Sequence, residues 1–231
     1  MLRNFFSEWG EELMDFRFDL IMDYAPYFLK GTFYTIGISL VGILLGTILG
    51  LVIGLGKMMK NKILAFPFNL YIAFFRGTPF FVQIYIIHFG VVPTFLGTTN
   101  GIAAGIVALS LNAAAYIAEI FRAGIQSIDR GQMEAARSLG MTHFQAMRYI
   151  ILPQAFKRMI PPLGNEFIVL LKESSLTALV AVPELMYWGR AFQGQYYKVW
   201  EPYLTAALIY FILTLTLSFL LSRLEKRLAT E

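Results

Sequence analysis

The chain contains no cysteine, which excludes disulfides, thiolate metal sites and thiol nucleophiles. Histidine is nearly absent. His88 and His143 stand far apart, and such isolated imidazoles read as solvated or internally satisfied groups, not as a metal centre. Charge is scarce as well: 15% of the 231 residues are Asp, Glu, Lys or Arg, against about a quarter in an average soluble domain. Alternating segments of about ten residues, the mark of a transmembrane β-barrel, are missing. The first 30 residues are charged and lack an apolar run followed by a small-residue cleavage site, so no cleavable leader is expected.

What is present is apolar surface. Hydrophobic residues make up 57% of the chain, and several stretches approach the ~20 uncharged residues that a helix needs to cross about 30 Å of hydrocarbon. The expected class is an all-α, polytopic membrane protein.

Residues 1–30 carry Glu8, Glu11, Glu12, Asp15, Asp19 and Asp23 against Arg3, Arg17 and Lys30. Phe5, Trp9, Leu13, Phe16 and Leu20 form one helical stripe, suited to an interface or to the protein's own flank. The first span is expected at Gly31–Gly56. Its Gly42, Gly46, Gly50 and Gly54 recur every four residues and predict close approach by another helix. The second is expected at Phe66–Val92, with a break at Gly77–Pro79, because proline removes a helical donor and disfavours helical geometry at Thr78. The third covers Ile102–Phe121. The fourth begins after Pro161-Pro162 and ends near Val182. An aromatic interfacial segment, 183–202, precedes the fifth span, Tyr203–Leu221.

Charge placement predicts orientation. Lys57, Lys60 and Lys62 follow the first span with no acid nearby. Arg122, Arg130, Arg137, Arg148, Lys157 and Arg158 follow the third, against Asp129 and Glu134. With basic loops inside, the C-terminus is cytoplasmic and the N-terminus outside. The net charge of +4 is thereby explained by topology, and no nucleic-acid partner is expected.

The longest polar interruption is Gly131–Pro153. Gln132 to Leu139 are good helix formers, Gly140 suits a left-handed stop, and Thr142 can cap a second helix running toward Pro153. By itself this reads equally as a helical hairpin between spans or as a handle for a partner. Glu134-Ala135-Ala136, Gly140, Ile150, Leu152 and Pro153 match the EAA---G---------I-LP signature of membrane subunits of ATP-binding cassette (ABC) importers. Arg76-Gly77-Thr78-Pro79 with Val82-Gln83, and Ala115-Tyr116 with Glu119, Ile120, Arg122 and Ile125, resemble motifs of the polar amino acid branch. The resemblance covers about residues 25–228.

This resemblance implies the type I ABC importer permease fold: five core transmembrane helices, here with an N-terminal amphipathic helix. It divides the chain into that segment, 1–30, and a permease domain, 31–231. The coupling helix falls at about 132–141, with Glu134, Ala135, Ala136, Arg137, Leu139 and Gly140 facing an ATPase. It further implies a cytoplasmic ABC ATPase dimer, a second permease subunit (a homodimer in preference to a heterodimer), an extracytoplasmic solute-binding protein and a prokaryotic plasma membrane. The chain would not be an enzyme and would hold no cofactor or metal; ATP and Mg would belong to the ATPase. Gly54-Leu55-Gly56-Lys57-Met58 approaches a phosphate loop but has Met where Ser or Thr is required.

Ionisable residues inside spans are the candidates for substrate binding. Asn112, Tyr116 and Glu119 share one face of the third span. Glu119 is expected either to hold a cationic substrate or to pair with Arg122 or Arg76. Arg76 is expected to meet an α-carboxylate or to anchor its loop. Asn165 and Glu166 are further candidates. Lys172 and Glu173 flank an expected break at Ser174-Ser175, where backbone amides become free. The acid-bearing face points to a basic amino acid: arginine, lysine or histidine. The alternatives are glutamine or another polar amino acid, and an ion-coupled transporter working alone.

Overall fold

The computed structural model describes residues 16–229. All regular structure among these residues is helical. Helix α1, Phe18–Lys57, is followed by α2, Lys62–Gly77, and α3, Phe80–Ile86. A π-turn, Ile87–Val91, leads into α4, Val92–Leu96. Helix α5 is Gly101–Gln126, α6 is Arg130–Ser138 and α7 is His143–Ala146. A second π-turn, Met147–Ile151, opens α8, Leu152–Glu173, which tightens into a 3-10 segment, Ser174–Val180. Helices α9, Leu185–Tyr196, and α10, Trp200–Ala229, complete the chain.

Three of the described helices are long and apolar enough to cross a membrane: α1, α5 and α10 over Trp200–Arg227. The pair α2 and α3–α4, bent by 112° between Gly77 and Phe80, makes a fourth if counted as one broken span. The bend lies where proline chemistry places it. Pro79 has no N–H, so the Phe75 carbonyl loses its helical donor. Gln83 supplies a replacement: its Nε2 donates to Phe75 O at 2.9 Å and to Thr78 O at 3.1 Å.

The fourth expected span differs from the sequence reading. Helix α8 begins at Leu152 and runs through Pro161 and Pro162. The two missing N–H groups orphan the carbonyls of Lys157 and Arg158, which lie on exposed residues and can be solvated. Lys157, Arg158, Glu166, Lys172 and Glu173 keep α8 from qualifying as an apolar span. The chain does change geometry at Ser174, where α-helix becomes 3-10 helix.

The boundary expected at residue 30 falls inside α1, which is continuous through Pro26. Phe5, Trp9 and Leu13 of the amphipathic stripe lie outside the described residues. Segment 183–202 is also more than interfacial. Its α9 carries fully buried Leu185 and Phe192 against Tyr24, Phe28 and Ala206. The Phe192 ring meets Tyr24 edge-on at 5.0 Å.

The glycine stripe is the seam of the fold. A Cβ on Gly46 would sit 2.8 Å from Ala113 Cβ, and one on Gly50 would sit 2.9 Å from the Ala114 carbonyl oxygen. Gly54 faces the Ala118 backbone at 3.0 Å. Small residues on both α1 and α5 let their backbones touch, and dispersion then acts over the whole length of the seam. The two π-turns serve packing as well. Each widens one turn so that buried residues recur at a spacing of five: Ile87 and Val92, Ala146 and Ile151.

Glu184 joins three helices in the connection before α9. It is fully buried and accepts hydrogen bonds from the N–H groups of Met186 (2.9 Å) and Tyr187 (2.7 Å) and from the Tyr210 hydroxyl (2.7 Å). Thr35 Oγ1 of α1 approaches the same carboxylate at 3.4 Å. Burial outweighs these donors and pushes the carboxyl up to about 7.

Candidate functional site

A cleft of about 640 Å³ opens between α2, α5 and α8 at the end of α5 that leads into α6. Its charged lining is Arg76, Glu119, Arg122, Arg158 and Glu166, with the Tyr116 ring beside them. The Arg76 guanidinium lies 5.3 Å from the centroid of that ring, within range of a cation–π contact.

Glu119 lines this cleft, but its carboxylate is occupied. Oε1 accepts from Lys57 Nζ at the last turn of α1. Oε2 accepts from Arg122 Nε at 2.9 Å and lies 2.8 Å from Arg122 NH2. Arg122 matches one of the structural pairings expected from sequence. Lys57 was not foreseen, because nothing in the residue pattern of α5 says which turn of α1 ends beside it.

Asn112 departs from the expected polar stripe. It is 3% exposed, does not line the cleft, and donates from Nδ2 to Gln83 Oε1 at 2.9 Å. Its one-face relation to Glu119 is real, but the long helix carries it behind the bend of the second span. Asn165 is exposed on α8 and lies outside the cleft lining. Its neighbour Glu166, half-buried, points into the cleft instead. Among the described residues neither Glu166 nor Arg76 has an ion-pair partner within 4.0 Å. Sequence reading named Asn165 and Glu166 together, and the 100° step between them along α8 brings Glu166 alone into the cleft lining.

The polar handle begins at Arg130, earlier than expected, because Asp129 caps it by accepting from Gly131 N at 2.7 Å. Glu134, Ala135 and Arg137 are exposed, and the Leu139 side chain is 84% exposed. Ala136 differs from its expected outward role. It is 4% exposed, one step around the helix from Ala135, on a helix that packs against α7 and the π-turn after it. Gly140 stops the handle with φ +81°, and Arg137 NH1 donates to the Met141 carbonyl at 2.9 Å. Thr142 and Gln145 then cap α7 reciprocally: Gln145 N donates to Thr142 Oγ1 at 3.2 Å and Thr142 N to Gln145 Oε1 at 2.8 Å. The result is a rigid, outward-facing helical corner.

The family model for the binding-protein-dependent transport system inner membrane component matches residues 42–230. The chain belongs to this family. It is 40% identical over 215 residues to a probable amino-acid ABC transporter permease protein of Bacillus subtilis, covering 93% of this chain and 94% of the relative. It is 39% identical over 221 residues to an arginine transport system permease protein of the same organism, covering 94% and 100%. A probable glutamine ABC transporter permease protein of that organism is 39% identical over 209 residues, covering 90% and 96%. Among solved structures, an amino acid ABC transporter with histidines superposes with a TM-score of 0.87 at 43% identity, covering 92% of this chain and 99% of that one. The permease is thus a membrane subunit of an amino acid ABC importer, and ATP hydrolysis in such systems resides in a separate subunit. A methionine ABC transporter at 24% identity, TM-score 0.76, over 87% of this chain and 96% of that one, shares the fold alone.

Proposed function

We propose that this permease carries a polar L-amino acid inward across the plasma membrane by alternating access, and that the cleft between Arg76 and Glu166 is its substrate site. The observation that supports this reading is the pair of opposite charges lining one cleft, neither with an ion-pair partner within 4.0 Å. Arg76 offers a fork for an α-carboxylate, Glu166 offers a carboxylate for an ammonium, and the Tyr116 ring shares the lining with them.

The outward-facing corner of α6 supports its assignment as the coupling helix. Glu134, Ala135, Arg137 and Leu139 would enter a groove on a cytoplasmic ABC ATPase dimer, while Ala136 holds the helix to its own chain. The N-terminus would lie outside and the C-terminus in the cytoplasm. A second copy of the permease would complete the pathway, and an extracytoplasmic solute-binding protein would deliver the amino acid. ATP and Mg belong to the ATPase.

Two side-chain classes are in contention. With Glu119 held by Lys57 and Arg122, Arg76 and Glu166 match the two charges of a zwitterion and leave none for a cationic side chain. That favours a neutral polar substrate such as glutamine. The relative named for arginine transport favours a basic one. Uptake of radiolabelled glutamine in cells carrying the full transporter, competed by a panel of amino acids, separates them. Arg76→Ala and Glu166→Gln should each lower uptake at least tenfold with the complex still assembled. Unchanged uptake in both variants would reject the cleft as the substrate site.

A further inference from the structure

We propose that Lys57 is a specificity-determining residue: by holding the Glu119 carboxylate with Arg122, it removes from the cleft the acid that would otherwise admit a cationic side chain. This rests on the cleft being the substrate site.

The geometry is particular. Glu119 lies in the cleft lining, whereas Lys57 does not. The ammonium therefore reaches the carboxylate from the α1 side, and the arginine takes the other oxygen from one turn along α5. The three side chains are only 23%, 16% and 31% exposed for Lys57, Glu119 and Arg122, so solvent screens the cluster weakly. Two cations on one acid give the cluster a charge of +1. A guanidinium or second ammonium entering the cleft meets that field, while a carboxamide does not. Lys57 ends α1, which is fixed to α5 by the glycine seam three residues earlier, where Gly54 meets the Ala118 backbone. The lysine is thus held at its post by packing that has nothing to do with charge.

Neutralising Lys57 turns the cluster neutral and frees one oxygen of Glu119. Lys57→Gln should therefore shift selectivity toward cationic amino acids, and Lys57→Gln/Glu119→Gln should shift it back. The measurement is binding of L-arginine and L-glutamine to the purified permease–ATPase complex without its solute-binding protein, by calorimetric titration in nanodiscs. The arginine-to-glutamine affinity ratio is expected to rise about tenfold in Lys57→Gln and to return toward wild type in the double variant. Binding by the wild type with an unchanged ratio in Lys57→Gln overturns the role of Lys57 alone. A rise that persists in the double variant also overturns it, because the effect then does not pass through Glu119. Binding of neither amino acid by wild type or variant overturns the cleft as the substrate site, and the proposal with it.

Discussion

Replacing Gln83 by leucine tests how the broken span is held. The side chain is 2% exposed, and its amide works in two directions. Nε2 donates to Phe75 O, Thr78 O and Thr78 Oγ1 within 3.1 Å, while Oε1 accepts from Asn112 at 2.9 Å. Leucine fills a similar volume but leaves the Asn112 amide buried without an acceptor, and the Phe75 carbonyl without the donor that Pro79 cannot supply. A buried orphan costs about 1–3 kcal/mol, and the half-buried carbonyls sit at the low end of that range. The sum is about 3–5 kcal/mol. For a chain of this size each kcal/mol moves the midpoint by about 2–4 °C, so a drop of roughly 10 °C is expected. Tryptophan fluorescence of the detergent-solubilised transporter complex during heating reads it. Adding Asn112→Leu removes one orphan, so the double variant should be more stable than the two single losses predict, by about 1–2 kcal/mol. A single variant within 2 °C of wild type, as an order-of-magnitude bound, or strict additivity in the double would refute the hinge role.

The glycine seam gives a contrast within one helix. Gly50→Ala forces a Cβ onto the Ala114 carbonyl and should destabilise by about 1–3 kcal/mol, whereas Gly37→Ala meets nothing within 4 Å and should be neutral or stabilising; equal melting temperatures would contradict the seam. Glu184 is protonated more readily in the folded protein than in the unfolded chain, its carboxyl raised from 4.5 to about 7. The folded state therefore binds the extra proton, and this contribution is complete below pH 4.5 and disappears as pH rises through about 7. The wild-type melting temperature should fall across that window, and Glu184→Gln should flatten the slope; an unaltered slope would exclude Glu184 as its source. Leu139→Asp should abolish amino-acid-stimulated ATPase activity while leaving membrane insertion intact, and full stimulation would reject α6 as the coupling contact.

Periodicity and proline made most of the architecture legible. The glycine spacing foretold a helix seam, and Thr78-Pro79 foretold a break, because both are local steric facts carried by backbone atoms. Gly140 and Thr142 likewise marked the corner of the handle. The site was less legible, since it depends on which turns of distant helices meet. The Asn112–Tyr116–Glu119 face was correctly placed on one helix, but α5 is long enough to serve three neighbours along that face. Gln83 claims Asn112, the cleft takes Tyr116, and Lys57 claims Glu119. Spacing along one helix cannot reveal a partner from another, so the acid with the stronger sequence signal proved to be the one already neutralised.

That division of α5 also bears on how the handle is joined to the cleft. Helix α5 ends at Gln126 and α6 begins at Arg130, so the connection is too short to absorb much motion. Arg158 of α8 donates to the Ser127 carbonyl at 2.5 Å, which ties the third wall of the cleft to the same corner. Along the opposite face, Ala113, Ala114 and Ala118 are locked to the glycines of α1 at near-contact distance. Helices α1 and α5 therefore form one closely packed pair that holds Lys57, Glu119 and Arg122 together. The other two walls also pack on α5, α8 through buried Ala155 and Met159 and the bent pair through buried Phe80 and Ile84, with polar contacts added by Arg158, Gln83 and Asn112. Arg76 sits on that bent pair and Glu166 on α8. The two charges proposed to meet the substrate thus stand on two different walls, while the clamp that screens the third acid joins α1 to α5. A displacement that parted α8 from the bent pair would change the spacing between Arg76 and Glu166 while leaving the Glu119 cluster intact on α1 and α5, which is what release of a bound zwitterion without loss of selectivity would require.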